Sequence, residues 1–275
     1  MQDINAAYKA LGFRSQPFNI TPDRSFFYPS ERYVAALQHL RFGVASGGFT
    51  MLTGEVGLGK TLLCRQVLAV EPPNTKIAYI LNPPQTYVEL LRRVLTDLGG
   101  ESTPDQDEDQ LQASLELLLF KLAGENQRVA VLVDEAHRLP PEVLERLRLL
   151  SNLETDQRKL LSLLLVGQPE LDRTLASKAM RPLAQRISIR YRLDTMSLSE
   201  TCEYIRHRVE VAHRSNNFEF TGLALRVIHA AAKGVPRRIN QIADRCVLDA
   251  YLHMRMYVNV WCALRSAKEV KGTWL

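Results

Sequence analysis

No apolar stretch in this 275-residue chain approaches the ~18 residues that a membrane-spanning helix needs. The longest such run, Leu160-Leu161-Ser162-Leu163-Leu164-Leu165-Val166, has the length of a buried central strand. The first residues lack a basic start followed by an apolar stretch, so no secretory signal is read. A cytoplasmic protein is expected, with peripheral association at the inner membrane as the variant of that expectation. Cysteine is scarce. Cys64, Cys202, Cys246 and Cys262 are far apart and form no C-x-x-C pair, which argues against a disulfide framework and a zinc site. The six histidines also lack metal spacing, with His207 and His213 six residues apart and His137 inside an Asp-Glu-Ala-His string. Internal repeats and low-complexity tracts are missing too.

What is present is an ordinary globular composition, 46% hydrophobic and 24% charged, in a chain long enough for one or two domains with a sizeable core. Charge is unevenly placed. Residues 181–275 hold 16 Lys and Arg against 8 Asp and Glu, a net of +8, whereas residues 1–180 hold 19 against 22, a net of −3. Such asymmetry can mark a surface for nucleic acid, whose phosphates release counterions when neutralised. The arginines are scattered, however, without runs or interleaved aromatics, and solvated helix faces account for much of the excess.

Residues Gly54-Glu55-Val56-Gly57-Leu58-Gly59-Lys60-Thr61 fit the pattern G-x-x-x-x-G-K-[ST] without a gap. Glycines in such a loop let successive backbone N–H groups turn inward on phosphate at the N-terminus of a helix. Lys60 is then suited to the β- and γ-phosphates, and the Thr61 hydroxyl to the Mg²⁺ that bridges them. The context agrees, with a strand at Gly48–Thr53 and helical spacing from Leu62 onward. A second buried strand, Arg128–Val133, runs into Asp134-Glu135. Asp134 at the end of that strand can hold the metal through water. Glu135 can orient the attacking water, which is the protein's main task in phosphoryl transfer. A nucleoside triphosphate with Mg²⁺ is therefore the expected ligand, in a site made of Gly54 to Leu62, Asp134 and Glu135.

The rest of the chain alternates strands and helices up to about residue 192. Ser30 followed by Glu31, Val34, Leu37, Leu40 and Val44 predicts a capped helix leading into the first strand. Strands are expected at 76–81, 160–166 and 187–192, and helices at 87–98, 111–122 and from Pro140-Pro141 onward. Alternation of this kind implies a three-layer α/β core with a parallel sheet and a ligand at the strands' C-terminal edge. Beyond Leu193 the spacing is helical, at 197–212, 221–232 and 235–256, which predicts a small α-helical lid. The expected division is an N-terminal segment and helix at 1–47, a P-loop core at 48–192 and the lid at 193–275.

The chain resembles the AAA+ ATPases, and within them the type of general secretion pathway protein A and the MSHA pilus biogenesis protein MshM. The resemblance covers nearly the whole chain. It rests on Gly12-Phe13 through Pro17-Phe18, Thr21-Pro22-Asp23, Leu52 to Gly57, Ile80-Leu81-Asn82-Pro83, Leu147 to Thr155, and Leu165-Val166-Gly167-Gln168-Pro169-Glu170-Leu171. Secretion protein A of this type continues into a membrane segment and a peptidoglycan-binding domain, so a chain ending at Leu275 fits the shorter pilus type.

The resemblance implies further roles by position. Gln168 stands where the polar sensor of the γ-phosphate is carried, though asparagine, serine or threonine is more usual there. Arg181 and Arg186 stand where the family places an arginine finger, with Arg186 preferred and a structural salt bridge as the alternative for either. Arg237, in Gly234-Val235-Pro236-Arg237, matches the lid arginine that contacts phosphates. A finger acting in trans implies a head-to-tail homo-oligomer, a ring or a filament. The implied function is ATP hydrolysis that drives conformational change during secretion or pilus assembly, with an inner-membrane or assembly protein as partner. The alternative is an ATP-dependent DNA-binding regulator of the transposition type.

Overall fold

The computed structural model describes residues 4–21, 23–70, 73–154, 158–213 and 217–272. Pro22 and Thr155, each part of a string quoted above, lie outside them. Chain order runs α1 (Ile4–Ala10), α2 (Glu31–Ser46), β1 (Gly48–Gly54), α3 (Lys60–Ala69), β2 (Thr75–Ile80), α4 (Tyr87–Asp97), α5 (Glu108–Gly124), β3 (Arg128–Val133) and α6 (Pro141–Leu150). It continues through β4 (Leu161–Gly167), α7 (Glu170–Leu175), α8 (Arg181–Arg186), β5 (Ile187–Leu193), α9 (Leu198–Ala212), β6 (Glu219–Phe220), α10 (Gly222–Ala232), α11 (Pro236–Leu252), β7 (Tyr257–Val258) and α12 (Val260–Gly272). Two compact units form. One joins Glu31–Val56 to Leu63–Leu193, and the other joins Met1–Ser30, Gly57–Leu62 and Asp194–Leu275.

The first unit is built on a wholly parallel five-stranded sheet in the order β2-β3-β4-β1-β5. The central strands β1, β3 and β4 are buried on both faces, which is why they read as nearly continuous apolar runs. The two faces still divide by alternation. Phe49, Met51, Val129, Val131, Val133, Leu161, Leu163 and Leu165 join one core with the apolar sides of α4, α5 and α6. The intervening residues turn the other way, where Ser162 Oγ donates to the carbonyl of Val44 on α2 at 2.9 Å. Gly43 lets α2 approach, because a Cβ there would stand 2.3 Å from Thr50 Oγ1.

Local signals place several helix ends. Asp107 and Gln110 form a capping box at α5, Thr86 caps α4, and Pro141 occupies the tolerated first turn of α6. One expected cap is corrected. The Ser30 hydroxyl is buried and makes no hydrogen bond, so α2 starts without a side-chain cap from Ser30. The short helices α7 and α8 were not anticipated from the sequence.

The second unit is helical apart from the two-residue parallel pair β6–β7. Ser197 and Glu200 form a capping box at α9, and Thr221 caps α10. Residues 235–256, expected as one helix, instead stop at Leu252. Met254 then takes a left-handed φ of 53°, and a further helix, α12, follows. The N-terminal strings belong to this unit. Phe13 stacks edge-on with His213 and Phe218, and buried Arg208 donates to the Pro17 carbonyl while its guanidinium lies over the Phe26 ring.

Candidate active site

The phosphate-loop sequence leaves β1 at Gly54, where Glu55 and Val56 are exposed. Gly57 and Gly59 then take φ values of +83° and +87°, a conformation that side-chain-bearing residues adopt rarely. Helix α3 begins at Lys60, which is only 5% exposed, with Leu58 buried and Thr61 and Leu62 half-buried. A loop of alternating left-handed glycines ahead of a helix N-terminus is a nest of N–H groups that favours an anion.

In the helical unit, α11 starts against this loop. The Arg237 N–H donates to the Gly57 carbonyl at 3.2 Å. A Cβ on Gly57 would lie 2.8 Å from Arg237 Cβ and 3.2 Å from Val235 Cγ1. Gly57 is thus required twice, by its φ and by the approach of α11. Gly234 pins the preceding turn, since its carbonyl accepts from Met196 N–H at 2.9 Å and an added Cβ would collide with the Met196 carbonyl oxygen at 2.1 Å. The Arg237 side chain is exposed, and its guanidinium makes no hydrogen bond or ion pair among the described residues.

In the sheet unit, Asp134 directly follows β3 and is fully buried. Its carboxylate accepts from the Glu135 N–H at 2.9 Å and from the Tyr79 hydroxyl at 3.4 Å. Burial first, then the charges of Cys64 and Asp134, pushes the Tyr79 phenol up, so it stays a neutral donor at ordinary pH. Glu135 has φ 53° and ψ 32°, a left-handed position without glycine's freedom. Its Oε2 accepts from Gln168 Nε2 at 3.3 Å and lies 3.5 Å from His137 Nε2. The Gln168 backbone N–H donates to His137 Nδ1 at 3.3 Å, so the imidazole's remaining N–H points toward Glu135.

Sheet order explains this meeting. β4 lies between β1 and β3, with Thr53 paired to Gly167 and Val133 to Leu165, so the end of β4 delivers Gln168 next to the end of β3. A Cβ on Gly167 would sit 3.2 Å from the His137 backbone nitrogen, and its absence allows that closeness. Tyr79 and His137 were not singled out from sequence. For Tyr79 the only available signal is its place at the end of a strand, and pairing β2 with β3 is what makes it matter.

The two arginines of the finger position differ. Arg186 is engaged at the C-terminal end of α6, where its Nη1 donates to the Arg148 carbonyl at 2.9 Å, to Ser151 Oγ at 3.2 Å and to Asn152 Oδ1. These partners are one carbonyl in α6's last turn and two neutral side-chain oxygens, so neither a carboxylate nor a salt bridge is involved. Arg181 is exposed, and its side chain makes no hydrogen bond or ion pair among the described residues. Among those residues no cluster of three His, Cys, Asp or Glu could hold a metal by itself. None of the described helices is long and apolar enough to cross a membrane.

The family described as AAA domain (AAA_22) matches residues 44–175. General secretion pathway protein A of Aeromonas hydrophila is 41% identical across 96% of this chain. The match takes in 49% of that protein, so the chain spans about half the length of this relative. Among solved structures, Cdc6p from Pyrobaculum aerophilum superposes with a TM-score of 0.71 at 16% identity, covering 94% of this chain and 72% of that one. The Aeropyrum pernix ORC2 protein gives 0.66 at 20% identity with the same coverage of each chain. The Thermotoga maritima RuvB branch migration motor gives 0.54 at 19%, covering 86% of this chain and 67% of the motor. At these identities the structures speak for the fold alone, a P-loop α/β core. Residues 44–175 thus match an AAA domain, within a chain similar over nearly its whole length to general secretion pathway protein A.

Proposed function

We propose that this chain hydrolyses ATP with Mg²⁺ and uses the change of state to drive assembly of a secretion or type IV pilus machine. The observation that carries the reading is Glu135, held in a left-handed backbone beside a fully buried Asp134 with its carboxylate shared by Gln168 and His137. The glycine nest and the N-terminus of α3 suit the phosphates, and Lys60 suits their β and γ oxygens. Thr61 and Asp134 each carry the hard oxygen donor that Mg²⁺ prefers, and the ion when bound would supply charge neutralisation across the phosphates. Glu135 aligns a water on the γ-phosphorus. The new P–O bond forms as the bond to the bridging oxygen breaks, and the water's proton leaves toward the carboxylate or the departing phosphate.

Gln168 couples this step to nucleotide state. Its amide nitrogen holds Glu135, and a γ-phosphate acceptor competes for the same donor, so binding ATP releases the carboxylate to water. Arg237, at the start of α11, contacts the phosphates, and Arg181 serves as the finger supplied to a neighbouring subunit. The forked, permanently charged guanidinium suits both tasks. A finger in trans makes a head-to-tail homo-oligomer, ring or filament, whose contacts relax after hydrolysis.

The assembly role, at an inner-membrane or pilus assembly partner, draws on the similarity to general secretion pathway protein A. DNA binding of the transposition-regulator kind rests on the basic C-terminal third. There Arg208 is spent on the Pro17 and Asn19 carbonyls, Arg190 on Ala184 and Arg265 on Asp249, which weakens that reading. Phosphate release from ATP is the test. Mg²⁺-dependent turnover that disappears in Glu135→Gln while nucleotide binding persists is expected, and unchanged turnover in that variant overturns the reading. Stimulation by duplex DNA that fades as salt rises would favour the DNA-binding role instead.

A further inference from the structure

The turn joining α11 to α12 carries the most exposed apolar side chains of the helical unit. Leu252 is 71% exposed, Met254 96% and Trp261 71%, with Met256, Tyr257 and Leu264 also open. Helix α12 is divided cleanly. Cys262, Ala263, Ser266, Ala267 and Val270 are buried, while Trp261, Leu264, Arg265 and Lys268, spaced as one helical face, point outward. Trp261 and Leu264 share a shallow concavity of ≈ 560 Å³ with His253, Arg255, Asn259, Arg265 and Lys268.

The side chains lining the concavity carry charge of one sign, with the exposed Glu269 on the flank of α12 outside it. No carboxylate lines the concavity. The nearby Asp249 is already paired with Arg265 at 3.1 Å and lies 3.7 Å from His253, and Arg255 and Lys268 make no ion pair among the described residues. Apolar side chains standing clear of the fold, a tryptophan at their edge and cations behind them match the interfacial zone of an anionic bilayer, where acyl chains take the apolar groups and headgroups take the charge. A protein groove fits less well. Met254 and Leu252 lie outside the concavity and project from the turn, so covering them takes a medium that closes around them. Met254 also holds a left-handed position usually given to glycine after a helix, which keeps a long apolar side chain at the tip.

We propose that the α11–α12 turn and the outer face of α12 dock on a membrane surface containing anionic lipid, with Leu252, Met254 and Trp261 entering the interface and Arg255, Arg265 and Lys268 meeting the headgroups. Co-sedimentation of the full chain with vesicles of equal parts phosphatidylglycerol and phosphatidylcholine tests it against pure phosphatidylcholine. Binding is expected to the anionic vesicles and to fall as salt rises. Arg255→Gln and Lys268→Gln should each weaken it roughly fivefold, and Met254→Glu about tenfold or more. Met254 and Lys268 are exposed and Arg255 is half-buried without an ion pair among the described residues, so circular dichroism melting curves should move little. In a Trp274→Phe background, Trp261 is the one tryptophan left, and its emission should shift to the blue on vesicles. Failure to sediment with anionic vesicles overturns the proposal. So does binding indifferent to Met254→Glu, or a drop in mass of the vesicle-free protein in that variant, which would make the patch a contact between copies of this chain.

Discussion

Glu135 occupies backbone space that costs a non-glycine residue about 1–3 kcal/mol, and Gln168 and His137 hold its side chain there. Strain of this kind persists where the side chain is needed. Glu135→Gly should therefore leave the melting temperature unchanged or higher, by up to about 1 kcal/mol of stability, while phosphate release falls roughly a hundredfold or more. A variant that loses stability along with turnover would make Glu135 a structural residue. Gly57 carries the opposite constraint. Gly57→Ala forces an unfavourable φ and sets a methyl 2.8 Å from Arg237 Cβ, so nucleotide affinity measured by calorimetry should drop at least about tenfold. Retained affinity would remove the glycine nest from the phosphate site.

At the scale of elements, the close seat of α2 on β1 depends on one missing side chain. Gly43→Ala places a Cβ 2.3 Å from Thr50 Oγ1, an overpacking that should cost about 1–3 kcal/mol in chemical denaturation without changing the fold. In the helical unit, α1 and α11 meet through Tyr8 and Asp244. Burial raises the Asp244 carboxyl, and the Tyr8 hydroxyl hydrogen bond and then Arg245 pull it back. The folded carboxyl thus keeps its proton to higher pH than the unfolded one, whose ordinary value is about 3.9. Its contribution favours the fold at low pH and is lost as pH rises through the raised value. Tyr8→Phe should steepen that loss, and Asp244→Asn should flatten it, in melting temperatures recorded from about pH 4 to 8. The five sheet strands and the long helices other than α12 were legible in the sequence because their signals are local, as in the apolar runs of β3 and β4 and the spacing of α4. The end of α11 was not legible, since Met254 turns the chain where neither glycine nor proline announces it. Helices α7 and α8, six residues each, are too short to be stable by propensity and are set by packing, with Leu171, Leu175 and Leu183 in the sheet core. In the site, the phosphate loop and the Asp134-Glu135 pair could be read directly. The parts played by Tyr79 and His137 could not, because they follow from β2 and β4 flanking β3, and strand order is not written in any short string.

For the whole molecule, the proposed switch depends on which arginine crosses to a neighbour. Of the two arginines that the resemblance puts at the finger position, Arg186 satisfies the end of α6 with its guanidinium, whereas Arg181, at the head of α8, reaches solvent with no such tie. The two substitutions should therefore separate. Arg186→Ala frees the Arg148 carbonyl and should cost about 1 kcal/mol of stability, visible as a lower melting temperature, with hydrolysis per folded molecule little changed. Arg181→Ala should leave the melting curve and the monomer's nucleotide affinity intact, yet lower turnover about a thousandfold, the smaller end of what a finger contributes. Mixing settles whether the residue acts on its own subunit. Glu135→Gln subunits bring a finger but no water-orienting carboxylate, and Arg181→Ala subunits bring the reverse, so equal parts of the two should recover activity that neither shows alone. Activity that stays absent in the mixture, at concentrations where sedimentation shows oligomers, would mean that Arg181 is not supplied in trans and that the head-to-tail assembly has to be built on another contact.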